Sequence, residues 1–265
     1  MSGCAPQPAL FPRGVSVYVR RVDALTDREC AARAATFRAS GIRNAFVMVE
    51  PVDAAIAKES AVRRMVDACA EQGIAPYLWS FPDHTRRTPA QVVATLSKYA
   101  AGSPVVAPIY DSEKAGGSHP PAEYVTETVK RMADLCGELG AGGRVGVTSY
   151  GVPSWHRMPW RPLASALIAC GGWYSPQTYK SALRADDAAR AMRETRALFG
   201  ACPVVPSIPA YDVDTTDKVG EVEQMRVATE RMGAGVDGLA VWSDPQLSAS
   251  ERGVLKAYAE KRGWR

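Results

Sequence analysis

No run in this chain is apolar for long enough to cross a bilayer, which takes about 20 consecutive apolar residues in a helix. The start also lacks the marks of an export signal. Met1-Ser2-Gly3-Cys4-Ala5-Pro6 has no basic segment and no apolar core behind it, so the expectation is a protein made in the cytoplasm without a signal peptide. The six cysteines, at 4, 30, 69, 136, 170 and 202, include no C-x-x-C pair. They read as small buried hydrophobes in a reducing compartment, not as a disulfide framework. The three histidines, His84, His119 and His156, stand far apart and lack metal-ligand spacing. No metal and no cofactor is therefore expected. Basic blocks are missing too: 32 Lys and Arg are dispersed among 28 Asp and Glu, for a net charge of +4. That balance leaves no nucleic-acid footprint. The expected partner is neither a nucleic acid nor a membrane.

What the sequence does contain is a regular alternation. Apolar runs over 14–20, 45–49, 75–79, 105–110, 144–149, 172–179, 203–209 and 237–242 read as strands. Helical patterns over 27–40, 54–72, 88–101, 122–139, 161–169, 186–199, 218–232 and 250–262 separate and follow them. Thr26 reads as an N-cap and Gly41 as a stop, and Pro89 sits at the first helical position behind Thr88. Strands that alternate with helices pair in parallel through right-handed crossovers. Eight such units close as a barrel. The expectation is an α/β fold, a single (β/α)8 TIM barrel over 1–265 with a lead-in at 1–13. A doubly wound open sheet is the alternative, but the Gly-rich phosphate loop is missing after the first strand. Prolines inside the sixth and seventh strands count mildly against central positions there.

Enzymes with this fold work at the C-terminal ends of the strands. The fourth strand delivers Asp111 and Glu113 there, and strand alternation puts i and i+2 on one face. Like charges on one face raise the affinity of one carboxyl for its proton, as a general acid requires. The other strand ends carry Glu50, Trp79, Tyr150, Gln177, Tyr179, Tyr211, Trp242 and Asp244. Aromatic faces stack on pyranose rings and polar tips bond hydroxyls, so these eight are the candidate substrate-binding residues for a sugar polymer. Acids such as Asp212 and Asp214 after the seventh strand would repel a phosphate. Trp155 and Trp160 in the long fifth loop read as packing that loop onto the barrel.

Asp111-Ser112-Glu113 at the end of a fourth barrel strand resembles the catalytic end of two groups. One is the chitinase-like family 18 glycoside hydrolases, with D-x-x-D-x-D-x-E on that strand. The other is the lysozyme-like family 25 enzymes. Val106 and Ile109 stand where the first has its earlier acids, and the first strand lacks the Asp expected of the second. The segments 148–160 and 175–179 resemble uncharacterised glycosidase-like barrels of bacteria and phages, which accompany peptidoglycan-binding modules. The resemblance implies that Glu113 is the general acid and that Asp111 orients the substrate's acetamide. It also implies an N-acetylhexosamine polymer as substrate, peptidoglycan foremost, cleaved by a phage or prophage lysin or virion component released to act on the wall. The alternative is a non-catalytic glycan-binding or structural barrel of a phage or cell-wall-associated assembly.

Overall fold

The computed structural model of the chain describes residues 11–52, 55–211 and 220–264. Apolar side chains alternate or run unbroken in eight short segments, and each is followed by an amphipathic one. The segments are β1 (Gly14–Val19), α1 (Asp27–Ala39), β2 (Ile42–Glu50), α2 (Glu59–Glu71), β3 (Ala75–Ser80), α3 (Pro89–Ala100), β4 (Pro108–Asp111) and α4 (Ala122–Leu139) in the first half. The second half holds β5 (Gly146–Tyr150), α5 (Trp160–Ala169), β6 (Trp173–Gln177), α6 (Ala185–Phe199), β7 (Ser207–Pro209), α7 (Glu221–Gly233), β8 (Gly238–Trp242) and α8 (Ala249–Lys261). Every strand pairs in parallel with the next, and β8 pairs with β1 to close the barrel. This is the single (β/α)8 barrel expected from the sequence.

Local chemistry sets the helix starts. Thr26, Thr88 and Ser248 each accept a hydrogen bond from the backbone three residues on, and Glu29, Gln91 and Glu251 return it. Each reciprocal cap is worth about 1 kcal/mol. Prolines move the strand starts. Pro203 and Pro206 have no N–H to give, so residues before Ser207 meet β6 through an isolated Tyr174–Val204 bridge, and β7 is shorter than its apolar run. Residues 105–107 lie alongside β3, Val106 N–H donating to Pro76 O at 2.8 Å, but the β4 ladder begins at Pro108. α2 starts at Glu59, not 54: Ala57 and Lys58 are held instead by Val49 O and the Asp23 carboxylate.

Side chains fill the barrel interior. Phe46, Tyr77 and Trp173 form one layer, with ring centroids 5.6, 5.7 and 6.2 Å apart. Gly146 makes room for it: a Cβ there would stand 2.2 Å from the Trp173 ring. Nearer the strands' C-terminal ends, Tyr18 packs edge-on against Trp79 at 5.2 Å, and Trp79 against Trp242 at 5.1 Å. Around Tyr18 the interior is hydroxylic. Its OH lies 3.2 Å from Ser207 Oγ and 3.4 Å from Ser175 Oγ, and the two serines are 2.7 Å apart. Cys30, Cys69, Cys136 and Cys202 are free and buried, and Cys170 is free and half-buried. Among the described residues, no helix is long and apolar enough to cross a membrane.

Candidate active site

Strand geometry carries the two acids to one place. Asp111 is the last residue of β4, and Ser112 N–H donates to Thr148 O at 2.8 Å, which prolongs the strand direction for one more residue. Glu113 therefore returns to the same side as Asp111 and meets it carboxyl to carboxyl. Asp111 is buried, 2% exposed, while Glu113 is half-buried at the mouth. Trp79 Nε1–H donates to Asp111 Oδ2 at 3.2 Å, and Gln177 Nε2–H donates to Oδ1 at 3.2 Å. Gln177 also hydrogen-bonds Glu113.

The electrostatics follow from burial without a cation. Desolvation pushes both carboxyls up, Asp111 well above the usual carboxylate range. The charge of Glu113 raises Asp111 further, and the donors Trp79 and Gln177 offset only part of this. Two carboxyls in contact in a water-poor site hold one proton between them. Burial and the charge of Glu113 raise Asp111, burial raises Glu113, and the proton belongs to the pair. The pair can release that proton to a bound molecule and take it back.

Several other candidates collect around the pair. Trp79 is fully buried beneath it. Tyr150 accepts a hydrogen bond from Lys114 N at 2.9 Å, which fixes the chain just past Glu113. Tyr179 and Tyr211 are half-buried with rings 6.2 Å apart, and Tyr179 lies 6.2 Å from Trp242. The Tyr179 hydroxyl is buried and has no hydrogen-bond partner. Trp242 is half-buried and packs on Tyr18 and Trp79.

Two acids are placed elsewhere. Glu50 follows a register shift between Met48 and Glu50, which swings it level with Ser80, the neighbour of inward-facing Trp79. It accepts from Ser80 Oγ at 3.0 Å and pairs with Arg87 at 3.5 Å. Asp244 is buried against α1, where Arg33 Nη1 lies 2.8 Å from its Oδ2. Asp212 and Asp214 lie outside the described residues.

The three histidines, far apart in the sequence, lie on neighbouring loops. His156 stacks on Tyr150 at 3.6 Å with a 4° interplanar angle, and His119 meets the same ring edge-on at 5.7 Å. His84 lies against Tyr124, and its Nε2 is 3.1 Å from Ser118 Oγ. All three come from loops after the third, fourth and fifth strands, so they line one wall of the mouth. Burial lowers the pKa of each. Among the described residues no group of His, Cys, Asp and Glu is arranged to hold a metal ion. Their shared position after consecutive strands was the available signal. Trp160 Nε1–H donates to His156 O at 3.1 Å and pins the fifth loop, whereas Trp155 stays 50% exposed beside Arg190.

No protein-family model and no curated protein sequence matches the chain. Solved structures do resemble it. The endo-β-1,4-mannanase from Thermotoga petrophila superimposes with a TM-score of 0.68 at 13% identity, over 96% of this chain and 77% of that one. Active domain 2 of the thermostable chitinase from Pyrococcus furiosus gives 0.68 at 11% identity, over 98% and 99% of the two chains. The spore cortex-lytic enzyme SleL from Bacillus cereus gives 0.62 at 7% identity, over 93% and 74%. The fold is thus the (β/α)8 barrel of these glycoside hydrolases.

Proposed function

We propose that this protein is a glycoside hydrolase that cleaves an N-acetylhexosamine polymer, peptidoglycan foremost, with Glu113 as general acid and Asp111 as its partner. One observation carries the reading: a buried, hydrogen-bonded carboxyl in direct contact with a half-exposed one, at the mouth where barrels of this kind work. Barrel neighbours named as mannanase, chitinase and cortex-lytic enzyme make polysaccharide the natural substrate class.

The chemistry balances with groups already in place. A sugar bound over the pair excludes water and covers Glu113. Asp111 accepts a hydrogen bond from the acetamide N–H and gives its proton to Glu113. Glu113 then protonates the glycosidic oxygen as the C1–O bond breaks, while the acetamide oxygen closes on C1. Water attacks C1 next, Glu113 takes its proton, and the acetamide is restored. Gln177 holds the pair in position throughout. The Tyr179 hydroxyl, lacking a partner of its own, is the donor available to the acetamide carbonyl. Trp242 and Tyr211 supply the apolar faces for the ring. A phage or prophage lysin, released to act on the wall or carried on a virion, is the setting this activity fits.

The test is release of reducing ends and clearing of turbidity from purified cell walls. The wild type clears the walls and Glu113→Gln does not. Equal clearing by both removes Glu113 from the mechanism; clearing by neither leaves the glycan-binding alternative.

A further inference from the structure

Arg20 completes the inward row of β1, two residues after Tyr18 and four after Ser16. Its guanidinium carbon lies over the Trp242 ring, 5.0 Å from the centroid. Its Nε is buried without an acceptor. Arg21 follows with a φ of 55°, in the left-handed region that non-glycine residues seldom enter. That turn breaks strand alternation, so both arginines face one cavity instead of opposite sides. The cavity has a volume of about 270 Å³ and is also lined by Val22, Asp23, Met48 and Pro51. Asp23 is already engaged, accepting from Lys58 N–H at 2.7 Å. Among the described residues no carboxylate pairs with Arg20 or Arg21.

A guanidinium with one edge buried and no anion is poorly satisfied. Its planar fork matches a carboxylate bidentately, and stacking on an indole presets its orientation. Side-chain contacts link Arg20 to the acid pair: Arg20 on Trp242, Trp242 on Trp79, and Trp79 bonded to Asp111. We infer that this cavity is a carboxylate subsite, taking an acidic group that the glycan carries beside the residue being cleaved. The substrate class rests on the glycosidase reading above; the anion preference rests on the arginines. Two sources share that chemistry, an acid on the sugar itself or one on a peptide attached to it.

The experiment measures binding by calorimetry to three probes: peptide-free glycan strands with their lactyl carboxylates, the same strands with those carboxyls reduced to alcohols, and peptide-bearing strands. Wild type and Glu113→Gln bind a carboxylate-bearing probe about tenfold or more tightly than the reduced strands, and added salt narrows the gap. A preference for the peptide-free acid assigns the sugar's carboxylate, and one confined to peptide-bearing strands assigns the peptide's. Arg20→Ala combined with Arg21→Ala removes the preference. Arg21→Ala alone, at an exposed position, weakens it without disturbing the packing on Trp242. Arg20→Lys keeps the charge but loses the fork and retains only part of it. Equal wild-type affinity for acidic and reduced strands overturns the subsite, as does binding to none of the probes. So does a double variant that binds all probes more weakly by one common factor, because that marks a purely structural Arg20. Release of reducing ends without carboxylate preference defeats this inference and leaves the hydrolase standing. Preference without release does the converse.

Discussion

Gln177 Nε2 lies 3.2 Å from Asp111 Oδ1 and 3.4 Å from Thr148 Oγ1, so one amide on β6 joins the acid pair on β4 to the hydroxyls inside the barrel. A hydrogen bond donated to a carboxylate favours its charged form. In Gln177→Leu that support is gone, and both Asp111 and Glu113 hold their proton to higher pH. The alkaline limb of the pH–rate profile therefore moves upward while the maximal rate falls. An unmoved limb would detach Gln177 from the pair.

The two acids differ in what they cost when removed. Glu113→Gln lowers kcat by about 10²–10⁴-fold, the range for a lost general acid. Asp111→Asn is similarly damaging to rate, but it also removes a pH-dependent cost on stability. Asp111 has a folded-state pKa above its unfolded value. Its contribution to stability is thus complete below the usual carboxylate range and is lost as pH rises through the raised value. Asparagine has no such loss, so the variant gains on wild type in thermal melts at alkaline pH.

Asp244 gives a second pH-dependent term, at a buried carboxyl paired with Arg33 on α1. Burial drives its carboxyl up to about 7, outweighing the neighbouring Arg33. Wild-type stability should fall as pH rises through about 7. Asp244→Asn should flatten that step in a Tm-against-pH series. Activity on glycan should be nearly unchanged, because the pair with Arg33 holds Asp244 against α1.

Gly146 offers a packing test. A methyl group there would sit 2.2 Å from the Trp173 ring, inside a filled layer. Gly146→Ala should cost about 1–3 kcal/mol by overpacking. Calorimetry should record a Tm lower by several degrees. An unchanged Tm would mean that the layer repacks freely.

The barrel was legible because eight apolar runs alternate with amphipathic helices, a pattern that tertiary context seldom overrides. Strand ends were less legible. Hydrophobicity cannot register a missing N–H, so the apolar run predicts a strand from 203, whereas the β7 ladder starts at Ser207. The acid pair was readable from period-two alternation alone, and the structure brings Asp111 and Glu113 into contact. Glu50 was not readable in the same way, since an irregularity one residue earlier reverses the face it occupies. The stacking of His119 and His156 around Tyr150 joins separate loops, and nothing local encodes it.

The hydroxyl cluster under the acid pair has a directional consequence. Tyr18 is pushed up to about 12, and the serines and threonine around it do not ionise in water's neutral range. Among the described residues these hydroxyls keep their own protons near neutrality, so none of them competes with Asp111 and Glu113 as an acid or base. Acid–base capacity is thus concentrated at the rim of the barrel, where the half-buried Glu113 opens outward to whatever fills the mouth.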